Sequence, residues 1–344
     1  MSQFLRRVRI MGFRSLRDVN LELGPLTVLV GPNGAGKTTV LTALRFLGDV
    51  ARLDLEPAVR EHGGMGRLQF RGPREKKGIA FLIEAQVTPY ASGRAPDDYR
   101  LTFAGNSRAL ARQESFQFKR KGGPGRRITL TGNKVEWTEA GREGAAPDQE
   151  QSLSPDSALL STLPKLGPTE GGAQIKRLGD LFKTFRVFEV DVAAARRPSA
   201  TATADTLDAD AANLAAFLAY LKAEHPERFA KLEQDLRAIV PGIKALHVDP
   251  VGGADEGALI SLSEVGLRGR SAMAEASFGT VRALALLALL HDPNPPKLTC
   301  IEEIDHGLHP YALDRIVERL RTASKRTQLI VATHSPSFVN RLAP

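Results

Sequence analysis

Eight residues, Gly31-Pro32-Asn33-Gly34-Ala35-Gly36-Lys37-Thr38, carry the spacing G-x-x-x-x-G-K-[ST], and the chemistry of that spacing is capture of a phosphate chain. Glycine adopts backbone angles closed to other residues. Gly31, Gly34 and Gly36 are therefore expected to let successive N–H groups turn inward as a concave nest for phosphate oxygens. A helix starting near Lys37 adds the partial positive charge of its N-terminus. Lys37 supplies a mobile full charge for β- and γ-phosphates, the Thr38 hydroxyl a ligand for Mg²⁺, and Thr39 support at the α-phosphate. The elements that must position the loop are legible on both sides. Leu26-Thr27-Val28-Leu29-Val30 reads as an apolar strand, and Val40, Leu41, Leu44 and Leu47 recur at helical spacing after the loop. A nucleoside triphosphate with Mg²⁺ is the expected ligand.

Phosphate loops serve kinases, GTPases, transporters and DNA motors alike, so the far end of the chain decides the class. Lys297 to Glu303 reads as a buried strand ending in two carboxylates, with Glu302 expected to face Mg²⁺ and Glu303 an attacking water. The other reading is a strand closing in a solvated acidic turn. Further on, Thr327 to Thr333 is a second core strand that delivers His334 at its carboxyl end, where ligands of parallel sheets gather. The alternative for His334 is a histidine that merely caps the strand. Between phosphate loop and carboxylates, Ser277-Phe278-Gly279 opens the apolar run Ala283 to Leu290; taken alone it is a helix cap, and in this company a second anion-binding helix end.

The order GPNGAGKT, ASFGTVR, LTCIEEIDHGLHP and LIVATHSP resembles the ABC-type ATPase heads of the RecF/SMC-like group, and especially the bacterial AAA-type ATP-binding proteins related to RecF and OLD. The stretch Ile10 to Leu16 is similar to the N-F-R-S segment of these heads, and Asn213 to Leu218 to their middle region. The resemblance implies an α/β P-loop NTPase fold, an ABC/SMC-like head with a parallel core sheet, an antiparallel β lobe and an inserted helical lobe. It implies Mg²⁺-dependent ATP hydrolysis at a composite site in a homodimer or higher oligomer. Nucleotide contacts would come from Arg14, Asn33, Gly34, Ala35, Gly36, Lys37, Thr38 and Thr39 of one protomer, with Ser277 and Gly279 of the other acting in trans. Thr38 and Glu302 would hold the metal; Glu303, His334 and Lys37 would act in catalysis, with His334 sensing the γ-phosphate. DNA and a separate effector such as a nuclease are the partners implied, in DNA repair or antiviral defence.

Three positions depart from that pattern. Phe278 stands where a small or acidic residue is usual, Ile304-Asp305-His306 replaces Pro-Glu-Asn, and the first carboxylate is Glu302 rather than Asp. The metal-sensing glutamine of related heads has two candidates, Gln69 and Gln86. Two other functions stay open: a nucleotide-gated scaffold with slow hydrolysis, and a transporter subunit, the latter disfavoured by the long insertion and the RecF-like start.

The single cysteine, Cys300, excludes an internal disulfide and fits a reducing cytoplasm. The start lacks a signal-peptide core and the longest aliphatic run is too short for a bilayer, so no membrane segment is expected. Net charge is +8, favouring an anionic partner. Between Arg108 and Lys134, Arg108, Arg112, Lys119, Arg120, Lys121, Arg126, Arg127 and Lys134 face one acid, Glu114, in segments that read as hairpins around Gly122 to Gly125. This ribbon is either a phosphate-backbone grip or a solvated charged face.

More than two hundred residues separate Lys37 from Ser277, so a lobe must be inserted in the core. The expected division is a split core at 1–75 and 266–344, an antiparallel β lobe at 76–140, a polar loop from Gly141 to Pro155, and a helical insert at 150–265 with a loose Ala/Thr-rich stretch near Arg197 to Asp210. No heptads or internal repeats are visible. Only ten residues follow His334, so the effector is expected on another polypeptide unless the chain is trimmed.

Overall fold

The computed structural model describes residues 5–73, 78–106, 109–121, 123–141, 146–153, 159–162, 171–201, 205–252 and 257–342. Arg108 and Gly122 of the expected basic ribbon, with parts of the expected polar loop and Ala/Thr-rich stretch, lie outside them. The chain forms two compact units, one from the described residues of Met1–Pro25 and Gly34–Phe185, the other from those of Leu26–Asn33 and Arg186–Pro344.

In the first unit, β1 (Leu5–Phe13) and β2 (Leu16–Glu22) make an antiparallel hairpin. The next strand, β3 (Leu26–Val30), belongs to the second unit, and the chain then returns to the first through α1 (Lys37–Leu53), α2 (Leu55–Glu61) and α3 (Met65–Leu68). Strands β4 (Ile79–Ala85), β5 (Asp97–Gly105), β6 (Leu110–Arg120), β7 (Gly123–Thr131), β8 (Lys134–Glu139) and β9 (Gln149–Ser152) extend the hairpin into an eight-stranded antiparallel sheet of order β2-β1-β4-β5-β6-β7-β8-β9. Strict alternation builds it. Phe81 and Ile83, Tyr99 and Leu101, Phe116 and Phe118, Ile128 and Leu130, and Val135 and Trp137 are buried on one face while their neighbours in sequence point to the other. Helices α4 (Leu159–Thr162) and α5 (Gly172–Lys183) complete the unit, and α5 packs on α1. That packing is close: a Cβ at Gly48 would stand 2.9 Å from the Phe182 carbonyl oxygen. Phe46 of α1 meets the rings of Phe13, Phe81 and Phe103 at 5.7, 5.8 and 5.6 Å, the kind of contact that adds about 0.5–1.5 kcal/mol each beyond area burial.

The basic ribbon is consumed by this sheet. Arg126 is only 4% exposed and pairs with Asp148, Arg127 donates to Gln117 Oε1, Arg120 Nη2 lies 3.6 Å from Glu139, and Lys134 Nζ sits 2.8 Å from both Glu136 and Glu150. Arg112 is buried as well. A count confined to 108–134 misses these acids because β8 and β9 bring them in from just downstream. For the same reason the polar stretch expected as a loop contains the edge strand β9. Arg126 is therefore committed inside the sheet, while Arg127 stays half-buried against Gln117.

The second unit centres on a parallel sheet of order β10-β14-β15-β3, with β10 (Arg186–Phe188), β14 (Leu298–Ile301) and β15 (Gln328–Thr333). β14 and β15 are buried at every residue, which explains their near-continuous apolar sequences. Between β10 and β14 the chain runs through α6 (Val192–Ala195), α7 (Leu214–Glu224) and α8 (Pro226–Ile239), then the small antiparallel sheet of β11 (Ile243–Val251), β12 (Gly257–Glu264) and β13 (Ser271–Ala272). α9 (Phe278–His291) is buried on all sides, α10 (Pro310–Ala323) carries Leu313, Ile316, Val317 and Leu320 against the core, and α11 (Pro336–Asn340) follows β15. Thus 150–265 holds β10, β11 and β12 as well as helices. Cys300 is fully buried in β14, and burial pushes its thiol pKa up. Among the described residues no helix is long and apolar enough to cross a membrane.

Glu114 is a buried acid in the first unit's core. Fully buried on β6, it accepts from the Tyr99 hydroxyl at 2.8 Å and the Leu159 amide at 3.1 Å, and burial raises its pKa from 4.5 to about 7. A folded-state pKa above the unfolded value favours the fold in acid, so this contribution is present below 4.5 and is lost as pH rises through about 7. Glu114→Gln is expected to stabilise the protein above neutrality by on the order of 3 kcal/mol. The gain should shrink toward zero as pH falls through the same window, as measured by denaturant titration near each end.

Candidate nucleotide site

The phosphate loop begins at the carboxyl end of β3, and the chain passes from the second unit to the first at the Asn33–Gly34 bond. Gly34 (φ 81°) and Gly36 (φ 96°) are left-handed, whereas Gly31 is not, so two of the three expected glycines meet the conformational requirement. A Cβ at Gly36 would also crowd Leu16 Cδ2 at 3.0 Å. Gly36 is the N-cap of α1, with no side-chain cap and no acid in the first turn. The donor-rich, positive helix end is thus left in the form that accepts an anion. Asn33, Gly34, Ala35 and Thr38 are exposed; Lys37 and Thr39 are half-buried.

The segment resembling N-F-R-S is the tip of the β1–β2 hairpin, and it touches the loop's helix. Ser15 Oγ and Thr39 Oγ1 are 2.9 Å apart. Arg14 is left-handed at φ 48°, its amide donates to the Leu68 carbonyl at 2.6 Å, and its Nε is buried without a hydrogen-bond partner. Gln69 bridges Phe13 beside this tip, while Gln86 follows β4 near Gly93. The Ser15–Thr39 contact carries no motif of its own and was not foreseen.

In the second unit, parallel register brings four strand ends to one edge, β10 and β14 ending two residues before β15 and β3. Val30 pairs with Thr333, Val331 with Ile301, and Ile301 with Phe188, all parallel. Gly31, His334, Glu302 and Glu189 therefore leave the sheet at one edge. The Glu302 amide donates to the Phe188 carbonyl at 3.1 Å and the Ile304 amide to Ala332 at 3.3 Å. Thr333 Oγ1 donates to Asp305 Oδ1 at 2.6 Å and accepts from the Ser335 amide at 3.0 Å. Glu302 is 9% exposed; Glu303, at φ 45°, and His334 are exposed. Arg282 Nη2 donates to the carbonyl oxygens of Glu302 (3.0 Å) and Glu303 (2.6 Å). Burial lowers the Arg282 pKa, opposed by the charges of Glu303, Asp305 and Glu189.

Ser277 caps α9, its Oγ accepting from the Thr280 amide at 3.2 Å. This helix end abuts the carboxylate loop of its own chain. A Cβ at Gly279 would lie 2.5 Å from the Gly307 carbonyl oxygen, and one at Gly307 would lie 2.5 Å from the Phe278 ring. Arg196 Nη2 holds the Ala276 carbonyl at 2.6 Å just before the cap. Arg282 and Arg196 escaped the sequence reading; the signal for Arg282 was a lone cation in the first turns of an otherwise apolar helix.

Among the described residues there is no cluster of three or more His, Cys, Asp or Glu able to enclose a metal by itself. Thr38 and Glu302 carry oxygen donors, the ligand type of Mg²⁺, which commonly takes one or two protein ligands and completes its shell with phosphate and water.

A family described as "AAA domain, putative AbiEii toxin, Type IV TA system" matches residues 184–340, and one described as "AAA domain" matches 7–49. The second match contains the phosphate loop and the first contains Ser277, Glu302, Glu303 and His334. OLD nuclease of Thermus scotoductus is 60% identical over 47 residues, 13% of this chain and 9% of that protein. Chromosome partition protein Smc of Desulfitobacterium hafniense is 52% identical over 46 residues, 13% of this chain and 4% of that protein. The chain thus matches less than a tenth of the length of these relatives. A crystal structure of the SmcHead bound to the C-winged helix domain of ScpA superposes with a TM-score of 0.60 at 14% identity, covering 98% of this chain and 91% of that one. The shared fold is that of the SMC head, a P-loop NTPase fold, and the chain is similar in sequence to AAA domains across 7–49 and 184–340.

Proposed function

We propose that this protein binds and hydrolyses ATP with Mg²⁺ and dimerises around the nucleotide. The observation that carries the reading is the shared carboxyl edge of β3, β14 and β15, from which Gly31, Glu302, Glu303 and His334 emerge together. Asn33 to Gly36 would cradle phosphate through backbone amides, Lys37 would supply charge, and Thr39 would support the α-phosphate. Thr38 and Glu302 are assigned to Mg²⁺, which when bound polarises the transferring phosphoryl group. Glu303 orients the attacking water and His334 contacts the γ-phosphate. Arg14 is assigned a phosphate contact from the hairpin tip whose Ser15 touches Thr39 of the loop's helix. Ser277 and Gly279 are assigned to a second protomer's nucleotide, so that hydrolysis removes the group both protomers grip.

The reading sets the protein in DNA repair or antiviral defence in the cytoplasm, with DNA or a nuclease as partner; the relatives' names, a nuclease and a chromosome partition protein, support the link to DNA. A second reading, a nucleotide-gated scaffold with little turnover, draws on the SmcHead having been solved with a protein partner. Stoichiometric partner capture without DNA affinity would favour it.

Lys37→Ala is expected to weaken ATP binding by about a hundredfold or more, since a full charge on the phosphates is lost; calorimetry that finds wild-type affinity removes the assigned role. Glu303→Gln is expected to cut turnover by about 10²–10⁴-fold and to accumulate an ATP-bound dimer. Light scattering that shows only monomer at saturating ATP and Mg²⁺, or wild-type turnover in the variant, defeats the composite site.

A further inference from the structure

We infer that His306 is a positioning residue for Glu303 and that, through Phe278, it ties this carboxylate to the serine-led tip of α9; the inference rests on the ATPase reading above. His306 Nδ1 lies 3.1 Å from Glu303 Oε2. At that separation the ring nitrogen and the carboxylate oxygen are within ion-pair reach, which draws Oε2 toward the ring. That leaves Glu303 Oε1 for the water. The His306 ring sits 5.2 Å from the Phe278 ring at an interplanar angle of 50°. Phe278 in turn lies on Gly307, where no Cβ would fit.

These contacts matter because of where Glu303 stands. Its side chain is 53% exposed, and an exposed glutamate has several rotamers to choose from. The backbone is already held: Arg282 grips the carbonyls of Glu302 and Glu303, and Gly279 meets Gly307. What those contacts leave undetermined is the direction of the carboxylate itself, and His306 is what determines it. Phe278 explains in turn why His306 stays in place although it is half-exposed. It is also the residue after Ser277, the proposed contact to a second protomer's nucleotide. Two positions that depart separately from the family pattern, Phe278 and His306, thus form one contact. Movement of the α9 tip on nucleotide engagement reaches the Glu303 carboxylate through Phe278 and His306 within the same chain.

The test is steady-state ATP hydrolysis by the full chain, with kcat and KM resolved, for wild type, His306→Ala, His306→Asn, Phe278→Ala and Glu303→Gln. Misorientation of a reacting group costs rate rather than binding, so His306→Ala should lose about ten- to a hundredfold in kcat with KM nearly unchanged. His306→Asn places an amide Nδ2 where Nδ1 was and should recover most of that loss. Phe278→Ala should fall between wild type and His306→Ala. Wild-type kcat in His306→Ala, while Glu303→Gln is inactive, overturns this inference and leaves the ATPase reading intact. A loss that Asn does not recover, with Phe278→Ala silent, overturns it too. No turnover by wild type, or full activity in Glu303→Gln, removes the ATPase reading and this inference together. Should His306→Ala fail to fold, His306→Asn and Phe278→Ala decide: wild-type kcat in Phe278→Ala, or a large kcat loss in His306→Asn, counts against it.

Discussion

Parallel pairing of β3, β15 and β14 is the constraint from which the candidate site follows. Three segments far apart in sequence reach one edge of the sheet only because their ladders run in one direction and in one register, Val30 to Thr333 and, two residues earlier, Val28 to Val331 to Ile301. A register slip of one residue would turn each strand's side chains to the opposite face, but here both faces of β14 and β15 are buried. Register is therefore set less by an apolar-polar alternation than by packing of individual side chains and by bonds at the strand ends. The amides of Glu302 and Ile304 and the Thr333–Asp305 bond supply such bonds.

Beyond the sheet edge the backbone must find partners without a ladder. The chain after Ile301 turns sharply, exposing the carbonyls of Glu302 and Glu303 to a region walled by the apolar helix α9. An unpaired buried carbonyl is destabilising, and Arg282 answers both with a single nitrogen. Putting a guanidinium into an apolar helix is costly, as its lowered pKa registers. The cost is offset by the two carbonyls and by the carboxylates of Glu303, Asp305 and Glu189 nearby in the field. The same residue thereby joins the serine-led helix to the carboxylate loop, so the packing requirement and the proposed chemistry share one side chain.

Much of the fold was readable because periodicity is a local property. Leu26 to Val30, Ile79 to Ala85, Leu298 to Ile301 and Gln328 to Thr333 declare themselves as strands, and α8 and α10 declare their faces and their starting prolines. The candidate residues with motif spacing were legible for the same reason. What stayed hidden depends on pairing across long separations. Strand β10 is three residues long and joins β14 from over a hundred positions away. The acids that neutralise the basic ribbon lie on strands whose neighbours cannot be known from spacing alone. Arg282 and His306 were visible as residues, but nothing in their local sequence said which oxygen each would reach.

Backbone strain distinguishes positions where side-chain chemistry outweighs conformational ease. Among the described non-glycine residues, Arg14, Asp54, Ala211 and Glu303 have positive φ, and two of the four are candidate site residues. A left-handed L-residue costs about 1–2 kcal/mol, which glycine at the same position would avoid. At the hairpin tip, glycine would keep the Leu68 bond, since that bond uses only the Arg14 amide, but would forfeit the guanidinium. After β14, glycine would keep the Arg282 bond to the backbone but forfeit the carboxylate that His306 holds. In both cases the backbone serves the local hydrogen bonds, and the side chains add the Arg14 guanidinium over the Phe13 ring and the Glu303 charge that offsets Arg282. Under the proposed function, what the guanidinium and the carboxylate would do beyond the chain is a further reason to keep them at strained positions.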